Sequence, residues 1–139
     1  MKIISDYIIL STRGNTDILD ITDEVISRLT KVGLKNGIVN ISVLGSTCAI
    51  TTCEYEPGLI SDLKKAFENL IPKDKNYGHD NAWHDGNAHS HLRSSLVGPS
   101  LSISFIDAKL FLGTWQQIIF IDFDNRARKR KILLQFLGE

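Results

Sequence analysis

The segment from residue 101 to residue 137 contains four short runs of strand-forming side chains, and this feature restricts the possible folds most strongly. The runs are LSISF, KLFLG, QQIIFIDF and KILLQFL, which begin at positions 101, 109, 116 and 131. They are rich in Ile, Leu and Phe, and short connections such as Asp124–Asn125 separate them. This pattern favours strands, and we predict a meander of antiparallel strands joined by tight connections.

Helix-like patterns and further strand-like runs precede this segment. One helix is predicted from Thr22, as its N-cap, to Gly33, and a second from Pro57 to Pro72, because apolar residues recur there every three or four positions. A short third helix is predicted after Asn87, and the polar stretch before it is predicted to be a loop. Further strands are predicted over residues 3–11, 37–44 and 48–53. The chain is therefore predicted to be one α+β domain over residues 1–139.

Composition and charge exclude several classes of function. Sixteen Lys and Arg residues balance sixteen Asp and Glu residues, and the net charge is zero when the four histidines are neutral. A general nucleic-acid-binding surface requires a basic excess, so no nucleic-acid partner is predicted. No apolar run approaches the roughly 20 residues of a membrane span, and the first ten residues do not resemble a signal peptide. Cys48 and Cys53 would face opposite sides of one strand, which predicts two buried free thiols in a cytoplasmic protein.

All four histidines lie in the segment GHDNAWHDGNAHSH, between positions 79 and 91. Such a cluster beside carboxylates indicates a functional site rather than a solvated surface loop. On an extended segment His89 and His91 would point to the same face, whereas on a helix they would diverge by about 200° and could not share a metal. The metal hypothesis takes His79, His89 and His91 as ligands of a divalent cation, with zinc as the candidate. Asp80 and Asp85 would then orient the imidazoles, and a phosphate-binding imidazole cluster is the main alternative.

The basic segment RARKRK, residues 126–131, contains five of the sixteen Lys and Arg residues. The planar guanidinium group of arginine suits phosphate and carboxylate ligands. We predict Arg126 as an anion ligand, together with Arg128 on the same strand face. The other three basic residues are interpreted as a charged strand end that keeps a sheet edge soluble: Lys129, Arg130 and Lys131.

Three further segments supply candidates for a binding site. Ser46 and Thr47 lie in a tight connection between apolar strands and offer hydroxyls and backbone amides to an anion, although an ordinary turn is the alternative. Glu54 follows an otherwise uncharged strand, where a buried carboxylate would suit acid–base chemistry and a solvent-exposed one would not. Gln116, in LGTWQQ, is either a sheet residue or an amide that orients a substrate.

Three segments together make the chain similar to a known family. STCAITTCEYEPGLISDL, YGHDNAWHDGNAHSHLRSSLVGPSL and LFLGTWQQIIFIDFDNRARKRKI follow one another over nearly the whole chain. In order and spacing they resemble the YjbQ-like family of small proteins, also described as secondary thiamine-phosphate synthases. The resemblance implies packed, mostly antiparallel β-sheets with two or three short helices, assembled as a homotrimer.

The resemblance also implies a cleft near the subunit boundary, formed by the histidine segment, the Glu54 strand and the arginine turn. The polar positions shared by the family fall here on Thr47, Glu54, His79, Asn87, His91, Gln116 and Arg126. His84 and His89 belong to a subset of members. Many members have a histidine where this chain has Gly45, so the chain lacks a group that can be a ligand or proton carrier elsewhere.

The activity suggested for the family joins a pyrimidine diphosphate to a thiazole phosphate and releases pyrophosphate. We therefore predict an enzyme that acts on small phosphorylated substrates, with secondary thiamine-phosphate synthesis as the candidate reaction. The predicted catalytic residues are Glu54, His79 and His91. The predicted substrate or anion ligands are Ser46, Thr47, Asn87, Gln116, Arg126 and Arg128. Two alternatives are a zinc-dependent phosphate-ester hydrolase and a non-catalytic trimer that binds an anionic metabolite.

Overall fold

The computed structural model describes residues 1–139, which form eight strands and four helices. The strands are β1 (Lys2–Thr12), β2 (Asp17–Asp20), β3 (Gly37–Val43), β4 (Cys48–Cys53), β5 (Ser100–Ile106), β6 (Lys109–Leu110), β7 (Gln117–Asp122) and β8 (Arg128–Gly138). The helices are α1 (Thr22–Val32), α2 (Pro57–Leu70), α3 (Gly78–Trp83) and α4 (Ala88–Val97). The predicted α+β class is confirmed. The additional helix, α3, lies in the polar stretch that was predicted to be a loop.

All strand pairs are antiparallel, and the strands form two sheets. The five-stranded sheet has the order β1-β8-β3-β5-β6, and the three-stranded sheet has the order β2-β7-β4. The predicted C-terminal meander is wrong except for the β5–β6 hairpin, because β7 pairs with β2 and β4 while β8 pairs with β1 and β3. Five of the six residues of β7 are buried, which requires cover on both faces and a central position. The Asp124–Asn125 segment therefore leads from one sheet to the other.

The two sheets pack against each other, and helices cover the far side of the smaller one. The main core joins α1 to the inner faces of both sheets and includes Val25, Leu29, Val39, Ile41, Ile50, Phe120, Leu134 and Phe136. A smaller core on the other side of the three-stranded sheet contains Ile18, Ala49, Ile119, Ile121 and Phe123, with Phe67 of α2 packed against it. The result is a layered fold of sheet, sheet and helices.

The outward side of the five-stranded sheet keeps several apolar side chains in solvent. On β1 the exposed positions alternate with inward ones, and Ile8 is buried between the exposed Tyr7 and Ile9. The register places these side chains beside outward ones of β8 and β3. We call this surface the outer apolar face; it consists of Ile3, Tyr7, Ile9, Ile38, Leu133 and Leu137.

The ends of α1 and α2 follow the sequence signals with one correction. Gly33 ends α1 in the left-handed conformation, with φ of 70°, as predicted. Thr22 is the first residue of α1 rather than its N-cap, and the carboxylate of Asp20 accepts its backbone N–H at 2.9 Å. Pro57 begins α2, and the Glu56 carboxylate accepts two backbone N–H groups of the first turn, both at 2.7 Å.

None of the four helices combines the length and apolar character needed to cross a membrane. Cys48 and Cys53 are both free, as predicted; Cys48 is buried and Cys53 half-buried. Burial raises the pKa of the Cys48 thiol to about 11.

Candidate functional site

The histidine segment folds as two short helices rather than as an extended chain. His79 lies in α3, His84 ends α3 in a left-handed conformation with φ of 59°, and His89 and His91 lie in α4. Of the two arrangements considered for the His-x-His pair, the structure has the helical one, in agreement with the helix predicted after Asn87. The helical spacing turns the rings of His89 and His91 to different sides, and only His91 stays near His79.

His79 is the centre of a compact polar group. Its Nδ1 atom lies 3.4 Å from a carboxylate oxygen of Asp85 and 3.6 Å from one of Asp80. The same Asp80 oxygen accepts the backbone N–H of Ala88 at 3.0 Å, which fixes this carboxylate at the start of α4. The His79 and His91 rings have centroids 4.7 Å apart and are tilted by 47°. We call His79, Asp80, Asp85 and His91 the His79 group.

The geometry of this group suits a cation or a proton relay. Ligand atoms of His79, Asp80 and Asp85 all lie within 4.8 Å of one another. The Nδ1 atom of His79 is buried, and no hydrogen-bond geometry satisfies it within the chain. One imidazole and two carboxylates are donors that zinc and other divalent cations accept. His89 is not part of this group.

A polar cleft of about 320 Å³ adjoins the His79 group. Its lining residues are Asp85, Asn87, Asp124, Asn125, Arg126 and Arg128. Asp85 belongs to both the cleft and the His79 group. The side-chain amide of Asn125 donates to the backbone carbonyl of Asp85 at 2.7 Å. The Asn87 amide nitrogen is best placed toward Asp85, where it donates to both carboxylate oxygens at 3.0 and 3.2 Å. Arg126 is exposed and has neither a hydrogen bond nor an ion pair within the chain, so its guanidinium group is free for a ligand. We call this the Arg126 cleft.

The other arginines of the basic segment hold a buried network together. Arg130 is buried and donates to both carboxylate oxygens of Asp122, at 2.8 and 2.9 Å. The interpretation of Arg130 as a solvated sheet-edge charge is therefore wrong. Arg130 and Arg128 alternate with exposed lysines on β8, so their side chains turn inward toward two fully buried carboxylates at the end of β7.

Asp124 is the second buried carboxylate of this network. The Arg128 side chain donates a hydrogen bond to the Asp124 carboxylate at 2.7 Å, and the Thr47 hydroxyl donates to the same carboxylate at 3.2 Å. Thr47 also accepts from Arg130 at 2.8 Å. Burial raises the pKa of Asp124, but the hydrogen bonds from the Arg128 side chain and the Asn125 backbone N–H outweigh it, and the pKa is lower than usual. Thr47 and Arg128, two predicted anion ligands, are thus already bound to protein carboxylates.

The turn at Gly45 and Ser46 does not form the preformed anion-binding site that was predicted for Ser46 and Thr47. Ser46 is exposed and makes no side-chain hydrogen bond. At Gly45 the backbone has φ of 148°, and a Cβ there would lie 2.8 Å from Nη1 of Arg130. The absence of a side chain at this position therefore makes room for the buried arginine.

Glu54 and Gln116 lie at the opposite end of the three-stranded sheet. Glu54 is exposed and lines an acidic cleft together with Asp20, Asp23, Glu56 and the exposed Trp115. Gln116 donates to Thr52 at 3.1 Å and accepts the Gly113 N–H at 3.0 Å.

The register fixes the distance between the two sets of predicted site residues. Cys53 pairs with Gln117 at one end of the β4–β7 ladder, and Cys48 with Asp122 at the other. Five residue steps of about 3.4 Å separate these ends by about 17 Å. Within one chain, Glu54 and Gln116 therefore do not reach the Arg126 cleft.

Three buried charged residues form ion pairs that were not predicted from the sequence. Asp122 and Asp124 interrupt an apolar run, and a carboxylate in such a run indicates a buried partner. Arg93 occupies a buried position of α4 and donates to the Ile71 carbonyl, Thr16 and Glu68. Its position within a helix gave no such signal.

The comparisons with known proteins agree on one family. The family model for UPF0047 protein YjbQ-like matches residues 6–139. A UPF0047 protein from Methanothermobacter thermautotrophicus is 37% identical over 139 residues, which cover 100% of this chain and 95% of the relative. UPF0047 protein YugU from Bacillus subtilis is 31% identical over 131 residues, 93% of this chain and 96% of the relative.

Solved structures show the same fold. A YbjQ-like protein of unknown function from Sulfolobus solfataricus P2 has a TM-score of 0.93 at 35% identity, with 99% of both chains covered. A hypothetical protein from Aeropyrum pernix K1 has a TM-score of 0.91 at 32% identity, with 98% of this chain and 99% of that chain covered. Sequence and structure together therefore make this chain a member of the YjbQ-like UPF0047 family.

Proposed function

We propose that the protein is an enzyme that acts on a small phosphorylated substrate in the Arg126 cleft, beside the His79 group. The observation that supports this most is the free guanidinium group of Arg126 in a cleft that shares Asp85 with His79. Arg126 binds the phosphate through charge-assisted hydrogen bonds, and the half-buried Asn125 beside it orients the phosphate. His91 holds or donates the proton that the leaving group requires.

A divalent cation, with zinc as the first candidate, belongs to this proposal. His79, Asp80 and Asp85 hold it, because their ligand atoms are mutually close and the buried Nδ1 of His79 lacks a partner. This ligand set replaces the one with His89, whose side chain lines a different cleft. The cation would supply positive charge that stabilises phosphate oxygens. Elemental analysis after dialysis tests it: about one metal per chain is expected for the wild type, and metal far below this for His79→Gln.

Homotrimer formation is the second part of the proposal. The outer apolar face is a contiguous patch across β1, β8 and β3, and patches of this kind mark interaction surfaces. In a trimer, the Glu54 and Gln116 end of one subunit meets the Arg126 cleft of the next, which unites residues that lie about 17 Å apart in one chain. We also retain the cytoplasm as the predicted location; the free Cys48 and Cys53 support it.

Secondary thiamine-phosphate synthesis is the reaction that we propose to test first. Purified protein is incubated with the pyrimidine diphosphate and thiazole phosphate, and product formation is compared with that of His91→Ala and Arg126→Gln. Loss of a proton donor lowers rates by roughly 10²–10⁴-fold, and we expect a decrease in this range for His91→Ala. Lys65→Gln, an exposed change on α2, is the matched control and retains full activity. Equal product from wild type and both site variants would contradict the assignment.

Non-catalytic binding of an anionic metabolite is the second candidate, and one observation favours it. The resemblance implies a histidine in many members where this chain has Gly45, and here Arg130 occupies the space beside Gly45, so this chain lacks that imidazole. A zinc-dependent hydrolase would release phosphate from simple phosphate esters. Neither a thiamine-phosphate synthase nor a non-catalytic binding protein would do so, and this release is measured alongside the synthase assay. Ligand-induced stabilisation without any turnover would favour the binding protein.

A further inference from the structure

A second polar cleft lies between α2 and α4, and the function proposed above does not use it. It has a volume of about 280 Å³, and none of its lining residues is hydrophobic. We call it the His89 cleft; its lining residues are Asn15, Thr16, Lys64, Glu68, Lys73, His89 and Arg93. A cleft this small and polar suits a small ion or a charged group of a metabolite rather than an apolar ligand.

Positive charge exceeds negative charge in the His89 cleft. The buried Arg93 donates to the only carboxylate of the lining, Glu68, at 2.8 Å, and this pair is neutral overall. Lys64 and Lys73 are exposed, and neither forms an ion pair within the chain. Two ammonium groups are therefore available to a ligand, and a dianion would match their charge.

His89 adds an unsatisfied acceptor at the wall of the cleft. The residue is 2% exposed, and its Nδ1 atom is buried without a hydrogen-bond partner. Its Nε2 atom lies 3.4 Å from the hydroxyl oxygen of Ser90. That hydroxyl donates its single hydrogen to the carbonyl of Phe123, so it accepts from Nε2–H of His89. In the neutral imidazole, Nδ1 is then a bare acceptor, and a ligand that donates a hydrogen bond would satisfy it.

We propose that the His89 cleft binds inorganic phosphate. Hydrogen phosphate is a dianion that still has one P–OH group. Its charged oxygens contact Lys64 and Lys73, and its hydroxyl donates to Nδ1 of His89. Sulfate has the same size and charge but no hydroxyl, so it lacks this last hydrogen bond. The inference does not depend on the reaction proposed for the Arg126 cleft.

Calorimetric titration of the full chain at neutral pH tests the site, with inorganic phosphate, sulfate and glycerol phosphate as probes at equal ionic strength. We expect phosphate to bind more tightly than sulfate. The Lys64→Gln/Lys73→Gln variant should weaken phosphate binding at least roughly tenfold, whereas Lys65→Gln/Lys75→Gln, on the same segment, should not. His89→Gln retains a donor near Ser90 but has no acceptor at Nδ1, and it should reduce the preference for phosphate over sulfate.

Several outcomes would overturn the proposal. They are no phosphate binding by the wild type, unchanged binding by Lys64→Gln/Lys73→Gln, and equal affinity for phosphate and sulfate. Arg126→Gln separates the two clefts: if it abolishes phosphate binding while the lysine variant does not, the anion site is the Arg126 cleft alone. A monoester dianion has no P–OH group, so tighter binding of glycerol phosphate than of inorganic phosphate would contradict the proposed hydrogen bond to Nδ1 of His89. The lysine variants change exposed residues, so the test stands even if His89→Gln does not fold.

Discussion

Replacing Arg130 by methionine should destabilise the protein more than any other single change in the basic segment. Arg130 donates to both oxygens of Asp122, and both side chains are almost completely removed from solvent. Arg130→Met preserves most of the side-chain volume but leaves the Asp122 carboxylate with the Thr12 hydroxyl and the Asp124 N–H as donors. Breaking one side of a buried ion pair costs about 3–5 kcal/mol, because the remaining charge is desolvated and uncompensated.

This cost is large relative to the total stability of a domain of this size, which is about 5–15 kcal/mol. Urea denaturation at one fixed protein concentration measures it as a lower midpoint at an unchanged slope. Lys129→Met, one position away and exposed, is the matched control and should shift stability by no more than about 0.5 kcal/mol. Asp122→Asn/Arg130→Met should recover part of the loss, because it removes the buried charge.

A cost below about 1 kcal/mol for Arg130→Met would refute this reasoning. It would mean that the Asp122 carboxylate is hydrated, and that the two ends of β7 and β8 are not held together by a desolvated pair. Equal losses for Arg130→Met and Lys129→Met would contradict it in the same way.

Three further predictions concern single residues. Gly45→His should destabilise the fold by about 1–3 kcal/mol in urea denaturation, because its Cβ would meet the Arg130 side chain at 2.8 Å; wild-type stability would contradict this. Glu56→Ala should lower the urea midpoint, because it leaves two N–H groups at the start of α2 without their acceptor, and an unchanged midpoint would show that water replaces the cap. In a Cys53→Ser background, Cys48 should react with a thiol reagent near pH 8 only as fast as the protein unfolds, because burial raises its pKa to about 11; rapid labelling of the folded protein would be the contrary result.

Acid should weaken the structure around Asp124. Its pKa is lower in the folded protein than usual, so its contribution to stability is fully present above the ordinary range of an aspartate and decreases as the pH falls through the folded pKa. Urea midpoints measured over descending pH should fall less steeply for Asp124→Asn than for the wild type.

Local features of the fold were predictable because their causes are local. Pro57 with Glu56 begins α2, and Gly33 ends α1, since each of these residues acts on the backbone within one turn. The pairing of β7 was not predictable in this way. A strand that is buried on both faces has the same composition in either sheet, and only the packing of distant residues decides its neighbours.

The candidate site shows the same limit. The clustering of histidines drew attention to His79 and His91, whose ring centroids lie 4.7 Å apart. The separation of His89 from them follows from the helical conformation of α4. The helix predicted after Asn87 contains both His89 and His91, whereas the metal hypothesis required this pair to be extended. Arg128 and Arg130 were recognisable as arginines on one strand face, but their partners Asp122 and Asp124 become neighbours only through the folding of β7 against β8.

The central claim is that Arg126 and the His79 group form one anion site, and binding of pyrophosphate tests it most directly. Calorimetric titration should show that Arg126→Gln weakens pyrophosphate binding by roughly tenfold to a hundredfold, as expected for the loss of charge-assisted hydrogen bonds worth about 1.5–3 kcal/mol. Lys65→Gln should bind it as the wild type does, and Lys64→Gln/Lys73→Gln should keep the part of the affinity that depends on Arg126. Wild-type affinity in Arg126→Gln, with the loss confined to the lysine variant, would contradict the account.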